Sequence, residues 1–526
     1  MHAPHRILLD RLPEHRWEVL ALTSVGAFMG PLDGSIVAVA LPAVSADLRL
    51  SFGEAIWVQA VYLLAMAIML IPLGRLADQR GRMRFYLGGV ALFTLASALN
   101  GLSVDGSMLI VSRALQGAGA ALLVATSAAI VTAVFPPQQR GRALGINIMA
   151  VYVGLSVGPP LGGILVDTVG WRWIFLINIP IGLALLAWGG LRLPHDHGSG
   201  SRALRPDVLG SALLAVFLVC LLVPVSFAPQ WGWTAPETLA LLAVAALGLA
   251  GFVLVESRVR DPILDLDLLR RNRLFAAANL AALLNYMALY GPIVLTAIYL
   301  QAVQGRSAAV TGWLLLSQPV LQAALSPFAG RLSDRIGSRV LTTGGMVLLT
   351  IGLVLLATLG DQSDTARLVA GLSVMGIGLA SFSAPNSSAI MGSVRRDQLG
   401  VASGFLATMR VTGQALSVAL LGAIAASQLG ALGARLIFVS EDGAELSAVA
   451  AERFAAGYRL AMATAAGLAV MAAAASLVRG GRRPEEAPAS ARPLDDAAAP
   501  VIPAVDRTPV EPPAARGSET VAGGSV

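Results

Sequence analysis

Fourteen runs of about 20 apolar residues, separated by short segments that carry nearly all of the charge, constrain this chain more than any single motif in it. A helix of that length spans about 30 Å, the thickness of a hydrocarbon core, and in lipid only helices and closed barrels satisfy their own backbones. The runs fall at 18–41, 54–74, 84–103, 106–135, 142–167, 172–193, 205–228 and 235–256, then at 273–302, 311–331, 339–360, 367–392, 399–427 and 455–478. With 56% hydrophobic and 13% charged residues in 526, the chain cannot bury its apolar side chains in soluble cores and still present a polar surface. The expected fold class is therefore all-α integral membrane, with 14 transmembrane helices.

All 37 basic residues are arginine, and their placement sets an orientation. Twenty-eight lie on the side of the two termini and seven on the other, while Arg113 and Arg410 fall within runs. The positive-inside rule then puts both termini in the cytoplasm. No basic patch is interleaved with aromatic residues, so nucleic acid is not an expected partner. The single cysteine, Cys220, allows no intrachain disulfide. The first 17 residues lack the apolar and small-residue pattern of a cleaved signal, so the first span is expected to be retained.

The chain repeats itself. Gly74-Arg75-Leu76-Ala77-Asp78-Gln79-Arg80-Gly81 returns as Gly330-Arg331-Leu332-Ser333-Asp334-Arg335-Ile336-Gly337 at an offset of 256, and Gly141, Gly145 and Gly154 return as Gly400, Gly404 and Gly413 at an offset of 259. Each pair falls at the same place in a set of six helices. The organisation reads as a cytoplasmic N-terminus (1–17), a six-helix half (18–193), an inserted transmembrane pair (205–256), a cytoplasmic interfacial linker (257–272), a second six-helix half (273–478) and a disordered cytoplasmic tail (479–526). Asp261-Pro262 marks a plausible helix start within the linker, and 430–453 reads as an outside loop rich in acids. Two facing halves that rock about a midplane site form a transporter architecture.

Charge inside a bilayer is costly, so the few buried ionisable residues are functional candidates. Asp33, in the first helix, is the one acid near mid-membrane. A carboxyl in low dielectric can take up a proton from one side and release it on the other; the plainer alternative is a hydrogen bond to a neighbouring helix. Arg113, Gln116, Gly117 and Ala120 share one face of the fourth helix, so the guanidinium lies on a polar stripe, either tuning a nearby acid or clamping backbone carbonyls. In the fifth helix Gly154, Gly158 and Gly162 lie on one face, with Pro159, Pro160 and Gly163 beside them, a surface for close packing or bending. In the loop from Gly74 to Arg84, Gly81 suits a tight turn. Asp78 there, among Arg75, Arg80, Arg82 and Arg84, either caps a helix or holds an arginine in a latch, and Asp334 repeats it between Gly330 and Gly337. Candidate cavity residues are Gln59, Tyr62, Gln116, Asn147, Asn285, Tyr286, Tyr290, Gln318, Asn386 and Arg410. No metal site is expected: His195-Asp196-His197 reads as a solvated turn without further ligands.

Together these residues resemble the fourteen-helix drug:proton antiporters of the major facilitator superfamily. The first-helix stretch from Leu32-Asp33 to Ala40-Leu41-Pro42 is similar to that branch, as are the Gly74–Arg84 loop, Arg113 to Gly119, Gly154 to Gly163 and Trp171-Arg172-Trp173-Ile174-Phe175 with Asn178 and Pro180. The resemblance implies a major facilitator fold, with Asp33 and Arg113 as coupling residues. It also implies Gly74, Asp78, Gly81, Arg82, Gly330, Asp334 and Gly337 as gating elements, and Gly154, Gly158, Pro159, Gly162 and Gly163 as the antiporter helix. Members that carry dications are expected to need a second membrane acid in the C-terminal half, which this sequence lacks. Proton-coupled efflux of lipophilic neutral or monocationic compounds is therefore expected, driven by the proton gradient with no cofactor, by a monomer in contact with membrane lipids in a bacterial cytoplasmic membrane. A dedicated exporter of one endogenous metabolite fits the same residues, and the fifth-helix motif disfavours an importer. An enzyme is disfavoured, since the G-x-S-x-G match at Gly154–Gly158 lies inside a helix and no histidine falls in any span.

Overall fold

Local signals start and stop the helices. Ser51 and Glu54 form a reciprocal capping box, Asp105 accepts from the Met108 amide at 2.8 Å and Asp207 from that of Gly210 at 2.7 Å, and Asn272 and Ser307 cap in the same way. Pro137 and Pro236 occupy first-turn positions, where the missing N–H costs nothing. Gly81 and Gly337 end the second helix of each half at φ of 111° and 90°, values that favour glycine.

The computed structural model describes residues 15–192, 207–259, 266–360, 365–395, 398–430, 437–438 and 444–478. Among the described residues there are fourteen long helices. In the first half they are α1 (Arg16–Asp47), α2 (Phe52–Arg80), α3 (Arg82–Gly101), α4 (Gly106–Val134), α5 (Pro137–Thr168) and α6 (Trp173–Leu176 continued as Asn178–Arg192). The inserted pair is α7 (Val208–Trp231) and α8 (Pro236–Glu256). The second half holds α9 (Arg273–Ile298, extended by a π-turn at Tyr299–Val303), α10 (Ala308–Leu315 continued as Ser317–Ile336), α11 (Ser338–Ala357), α12 (Thr365–Gly392), α13 (Leu399–Ser427) and α14 (Ala444–Leu477). Thirteen are long and apolar enough to cross a membrane; the other, α3, is a 20-residue helix seated against α4 and α6.

The repeat in the sequence is a repeat in packing. In the first half α1 packs on α5, and α2 and α3 on α4; in the second, α9 packs on α13, and α10 and α11 on α12. The halves join through α5 with α10 and through α2 with α13, with a smaller contact between α1 and α9. The inserted α7 lies against both α2 and α13 at that seam, with Phe227 tilted on Trp57 at 5.9 Å between ring centres.

One expectation changes. Residues 444–453, read as loop, begin α14, whose opening AELSAVAAERFAA is rich in strong helix formers. Within the linker Leu266–Arg271 forms a short helix, and the expected start at Asp261-Pro262 lies outside the described residues. The expected tail at 479–526 and the His195-Asp196-His197 turn also lie outside them.

Candidate functional site

Asp33 and Arg113 meet. Both side chains are 0% exposed, and one guanidinium nitrogen of Arg113 donates to Asp33 Oδ2. The other carboxylate oxygen accepts from Gln116 Nε2 at 2.7 Å and Asn178 Nδ2 at 3.2 Å. Helices α4 and α6 thus place three side chains on the one carboxylate of α1. Gln116 is itself fixed: its Oε1 accepts from Arg113 and Asn100, both at 2.6 Å, and Nε2 also donates to Ser97 at 2.9 Å. Ser112 donates to Asn100 Oδ1 at 2.6 Å. Arg113 also clamps a backbone carbonyl, that of Val58 at 3.3 Å, and its guanidinium lies 4.3 Å from the Tyr62 ring centre. Arg113 thus contacts both the acid and a backbone carbonyl.

The second half touches this network. Gln59 Nε2 donates to the Gly34 carbonyl at 2.9 Å and to the Tyr290 hydroxyl at 3.1 Å, so α2 connects the neighbour of Asp33 to α9. Tyr62 reaches the Gly30 carbonyl at 3.5 Å.

The glycine stripe of α5 lies against α1 around Asp33. A methyl group at Gly154 would press on the Phe28 carbonyl, one at Gly158 on Ser35 and the Leu32 carbonyl, and one at Gly162 on Ile36. Only hydrogen fits, and α1 and α5 approach to backbone contact. Gly163 faces the opposite half, where the Ala308 backbone of α10 fills the space a Cβ would need. Gly312 of α10 likewise meets the Pro159 carbonyl. Helix α5 runs without interruption through Pro159 and Pro160.

The halves meet at the face opposite the arginine-rich loops. There Asp167 at the end of α5 accepts from the Ala309 amide of α10 at 2.9 Å, Gln301 donates to the Val39 carbonyl at 2.8 Å, and Phe52 contacts Phe438 and Phe454. Towards the arginine-rich face a Cβ at Gly141, Gly145, Gly330, Gly400 or Gly404 would meet nothing within 4 Å. The arrangement is closed at one face and loose at the other.

In the loop motif Asp78 accepts from Arg82 Nε at 2.6 Å, and Arg82 also donates to the Ala129 carbonyl of α4 at 3.2 Å. This latch ties α2, α3 and α4 within one half. The N-cap of α3 is Gly81, and no side chain caps that helix. Gly74 makes ordinary contact with Ala125, Gly330 faces open space, and the side chain of Asp334 lies outside the described residues.

Other candidates have mainly local partners. Asn147 joins α5 to Ser127 of α4 at 3.0 Å, Asn386 donates to the Ala278 carbonyl of α9 at 3.3 Å, and Gln318 donates to Gln322 at 3.0 Å. Asn285 is 0% exposed with neither amide atom hydrogen-bonded. Tyr286 of α9 and Arg410 of α13 are close enough to interact electrostatically. Sequence reasoning did not select Ser97, Asn100, Ser112, Tyr152, Asp167 or Gln301. Ser97 and Asn100 share a face of α3 at i and i+3, the one pattern that pointed to a polar stripe there.

Comparison with known proteins follows from this geometry. The chain matches the Major Facilitator Superfamily profile over residues 23–284 and 278–514. It is 37% identical over 421 residues to the multidrug resistance protein Stp of Mycobacterium tuberculosis strain H37Rv, covering 79% of this chain and 78% of that protein. It is 34% identical over 446 residues to the tetracenomycin C resistance and export protein of Streptomyces glaucescens, covering 82% of each. Among solved structures, a bacterial homolog of the human lysosomal transporter Spinster, inward-facing and occupied, superposes with a TM-score of 0.59 at 18% identity. That match covers 91% of this chain and 97% of that one. A peptide transporter POT in complex with sulfate gives 0.61 at 17% identity, covering 87% and 94%. These structures share the fold. With its fourteen helices, two six-helix halves and these relatives, the chain is a multi-pass membrane protein and belongs to the multidrug efflux family of the Major Facilitator Superfamily.

Proposed function

We propose that this protein is a proton-coupled antiporter that exports lipophilic compounds, neutral or monocationic, from the cytoplasm across a bacterial cytoplasmic membrane. One observation carries the reading: Asp33, the one carboxylate near mid-membrane among the described residues, is held in a fully buried ion pair with Arg113, and Gln59 connects its helix to Tyr290 of the opposite half. Protonation of Asp33 removes its charge and releases the guanidinium, so proton uptake and the arrangement of α1, α4 and α6 are linked. The contact through Gln59 and Tyr290 gives that local change a route to the interface between halves.

With the arginine-rich face in the cytoplasm, the contacts between α5 and α10 describe a state closed towards the outside. Export then requires those contacts to break while the cytoplasmic ends come together, an exchange of rigid-body packing that glycine surfaces permit. The curated relatives named for drug resistance and antibiotic export support this direction. No enzymatic role is proposed: the serine of the G-x-S-x-G match, Ser156, lies within α5 rather than at a strand-to-helix turn.

The test uses inside-out vesicles with an imposed pH gradient and a panel of neutral, monocationic and dicationic compounds. Proton efflux triggered by the first two classes and abolished by Asp33→Asn is the expected result. Unchanged efflux in the variant removes Asp33 from coupling, and efficient export of dications removes the substrate class.

A further inference from the structure

Two cavities at the arginine-rich end of the bundle are related by the repeat in the chain. One, of about 670 Å³, is lined by Gln79 and Arg80 of α2, Arg84, Phe85 and Gly88 of α3, and Leu122 of α4. The other, of about 790 Å³, has Arg339, Val340, Leu341 and Gly344 of α11, Ser381 of α12 and Leu477 of α14 in its wall. Arg84, Phe85 and Gly88 correspond to Val340, Leu341 and Gly344 at the offset of 256, and Leu122 to Ser381 at 259. Both volumes fall in the range of small-molecule sites.

A pair of glycines makes each cavity. Gly89 and Gly345 draw α3 onto α4 and α11 onto α12: a Cβ at Gly89 would press on Leu122 and the Gly119 carbonyl, and one at Gly345 on the Gly378 carbonyl. The preceding glycines, Gly88 and Gly344, point about 100° away, where a Cβ would meet nothing within 4 Å. The first glycine of each pair thus leaves a trough beside the seam that the second closes. On α3 the outward face runs Arg84, Gly88, Ala91 and Leu95, all exposed, and Val340, Gly344, Val347 and Ile351 repeat it on α11. Beyond the arginine these residues are glycine or apolar, the surface of a membrane span, so both troughs open to lipid.

Charge sets the two halves apart. Arg80 and Arg84 are exposed and form no ion pair among the described residues, whereas Arg82 of the same loop is held by Asp78. In the second half Ile336 and Val340 stand at the corresponding positions, leaving Arg339 as the cation in the wall of that cavity. A guanidinium matches phosphate oxygens with a planar fork of donors, and basic pockets between spans on the cytoplasmic side suit anionic lipid head groups.

We propose that the groove between α2, α3 and α4 binds an anionic phospholipid of the cytoplasmic leaflet, its phosphate on Arg80 and Arg84 and an acyl chain over Phe85, Gly88 and Leu122. The groove on α11 and α12 takes a lipid with less preference for negative charge. The first site adjoins the latch between Asp78 and Arg82, so its occupant bears on α2, α3 and α4 together. It stands independently of which compounds the protein moves.

The test is native mass spectrometry of the purified full-length protein in detergent, equilibrated with dioleoylphosphatidylglycerol and dioleoylphosphatidylcholine at equal concentration. Two arginines at a membrane surface favour a negative head group by about tenfold or more, so phosphatidylglycerol should take the first bound position in that excess. Changing Arg80→Gln and Arg84→Gln together should bring the two lipids to parity, while Arg339→Gln should leave the first bound lipid unchanged. Gly88→Leu fills the trough with both arginines in place and should lower binding of the first lipid severalfold. Glycerol phosphate, which brings the anion without the chains, should not displace it. Equal binding of the two lipids by wild type, or a preference that survives the double Gln variant, overturns the proposal. Unchanged binding in Gly88→Leu leaves only diffuse attraction between arginine and anion, and displacement by glycerol phosphate leaves a site for free phosphates; either result refutes the lipid groove. If the double Gln variant fails to fold, the single Gln variants, each expected to lower the preference about threefold or more, decide it with Gly88→Leu.

Discussion

Removing the charge of Asp33 should destabilise the protein more than removing the charge of Arg113, although the two groups form one pair. In Asp33→Asn the guanidinium faces only neutral groups, the new amide, Gln116 Oε1 at 2.6 Å, the Val58 carbonyl at 3.3 Å and the Tyr62 ring, and it cannot shed its proton. Breaking a buried pair in this way costs about 3–5 kcal/mol. In Arg113→Gln the stranded carboxylate retains Gln116 and Asn178 as donors and can neutralise itself by taking a proton, so the loss is nearer that of a charged hydrogen bond, about 1.5–3 kcal/mol. The double variant carries no unpaired charge and should lie above Asp33→Asn alone, with a coupling energy of about 2 kcal/mol or more. Midpoints of SDS-induced unfolding in mixed micelles, followed by tryptophan fluorescence, measure all four proteins. If the double variant loses the sum of the single losses to within about 0.5 kcal/mol, the pair is not coupled and the reasoning fails.

Other expectations follow from the packing. Gly154→Ala sets a methyl group against the Phe28 carbonyl and should cost about 1–3 kcal/mol, whereas Gly145→Ala enters open space and should change stability by less than about 0.5 kcal/mol; the same unfolding measurement compares them. Gly312→Ala pushes α10 from Pro159 across the interface between halves. Spin-label distances between α5 and α10 should lengthen at that face, and unchanged distances would contradict the backbone contact. Asp167→Ala removes the acceptor for the Ala309 amide at the start of α10. A loss of about 1 kcal/mol would shift the closed population about fivefold, seen as slower cysteine cross-linking across that gate.

Much of the fold was legible because lipid makes the problem one-dimensional. A backbone with no water to bond must become helix wherever about 20 apolar residues run together, so the spans follow from composition alone. The helices differ from expectation chiefly at their ends, where the interface stops enforcing that rule. Residues 444–453 extend α14 on helix propensity, which apolar counting ignores. Asp33 and Arg113 stood out singly, since charge in an apolar run is rare. The groups around them, Gln116 and Asn178 on the carboxylate and Asn100 and Ser97 on Gln116, belong to α4, α6 and α3, and small polar residues in a span resemble ordinary helix glue until those helices are placed.

What the sequence determined by itself was the solvent, the number of spans, the two-fold repeat and the identity of the charges inside the membrane, because each depends on residue type and spacing along one chain. Tertiary structure decided which charge is neutralised. Asp33 and Arg113 lie 80 residues apart and pair, while Arg410 forms no ion pair among the described residues, and no periodicity distinguishes the two arginines. It also decided that α5 faces α1 with one glycine stripe and α10 with Gly163, so that the halves touch at one face and part towards the other. Such contacts depend on the side chains that helices distant in sequence present to each other, and close packing fixes them only when the bundle is assembled.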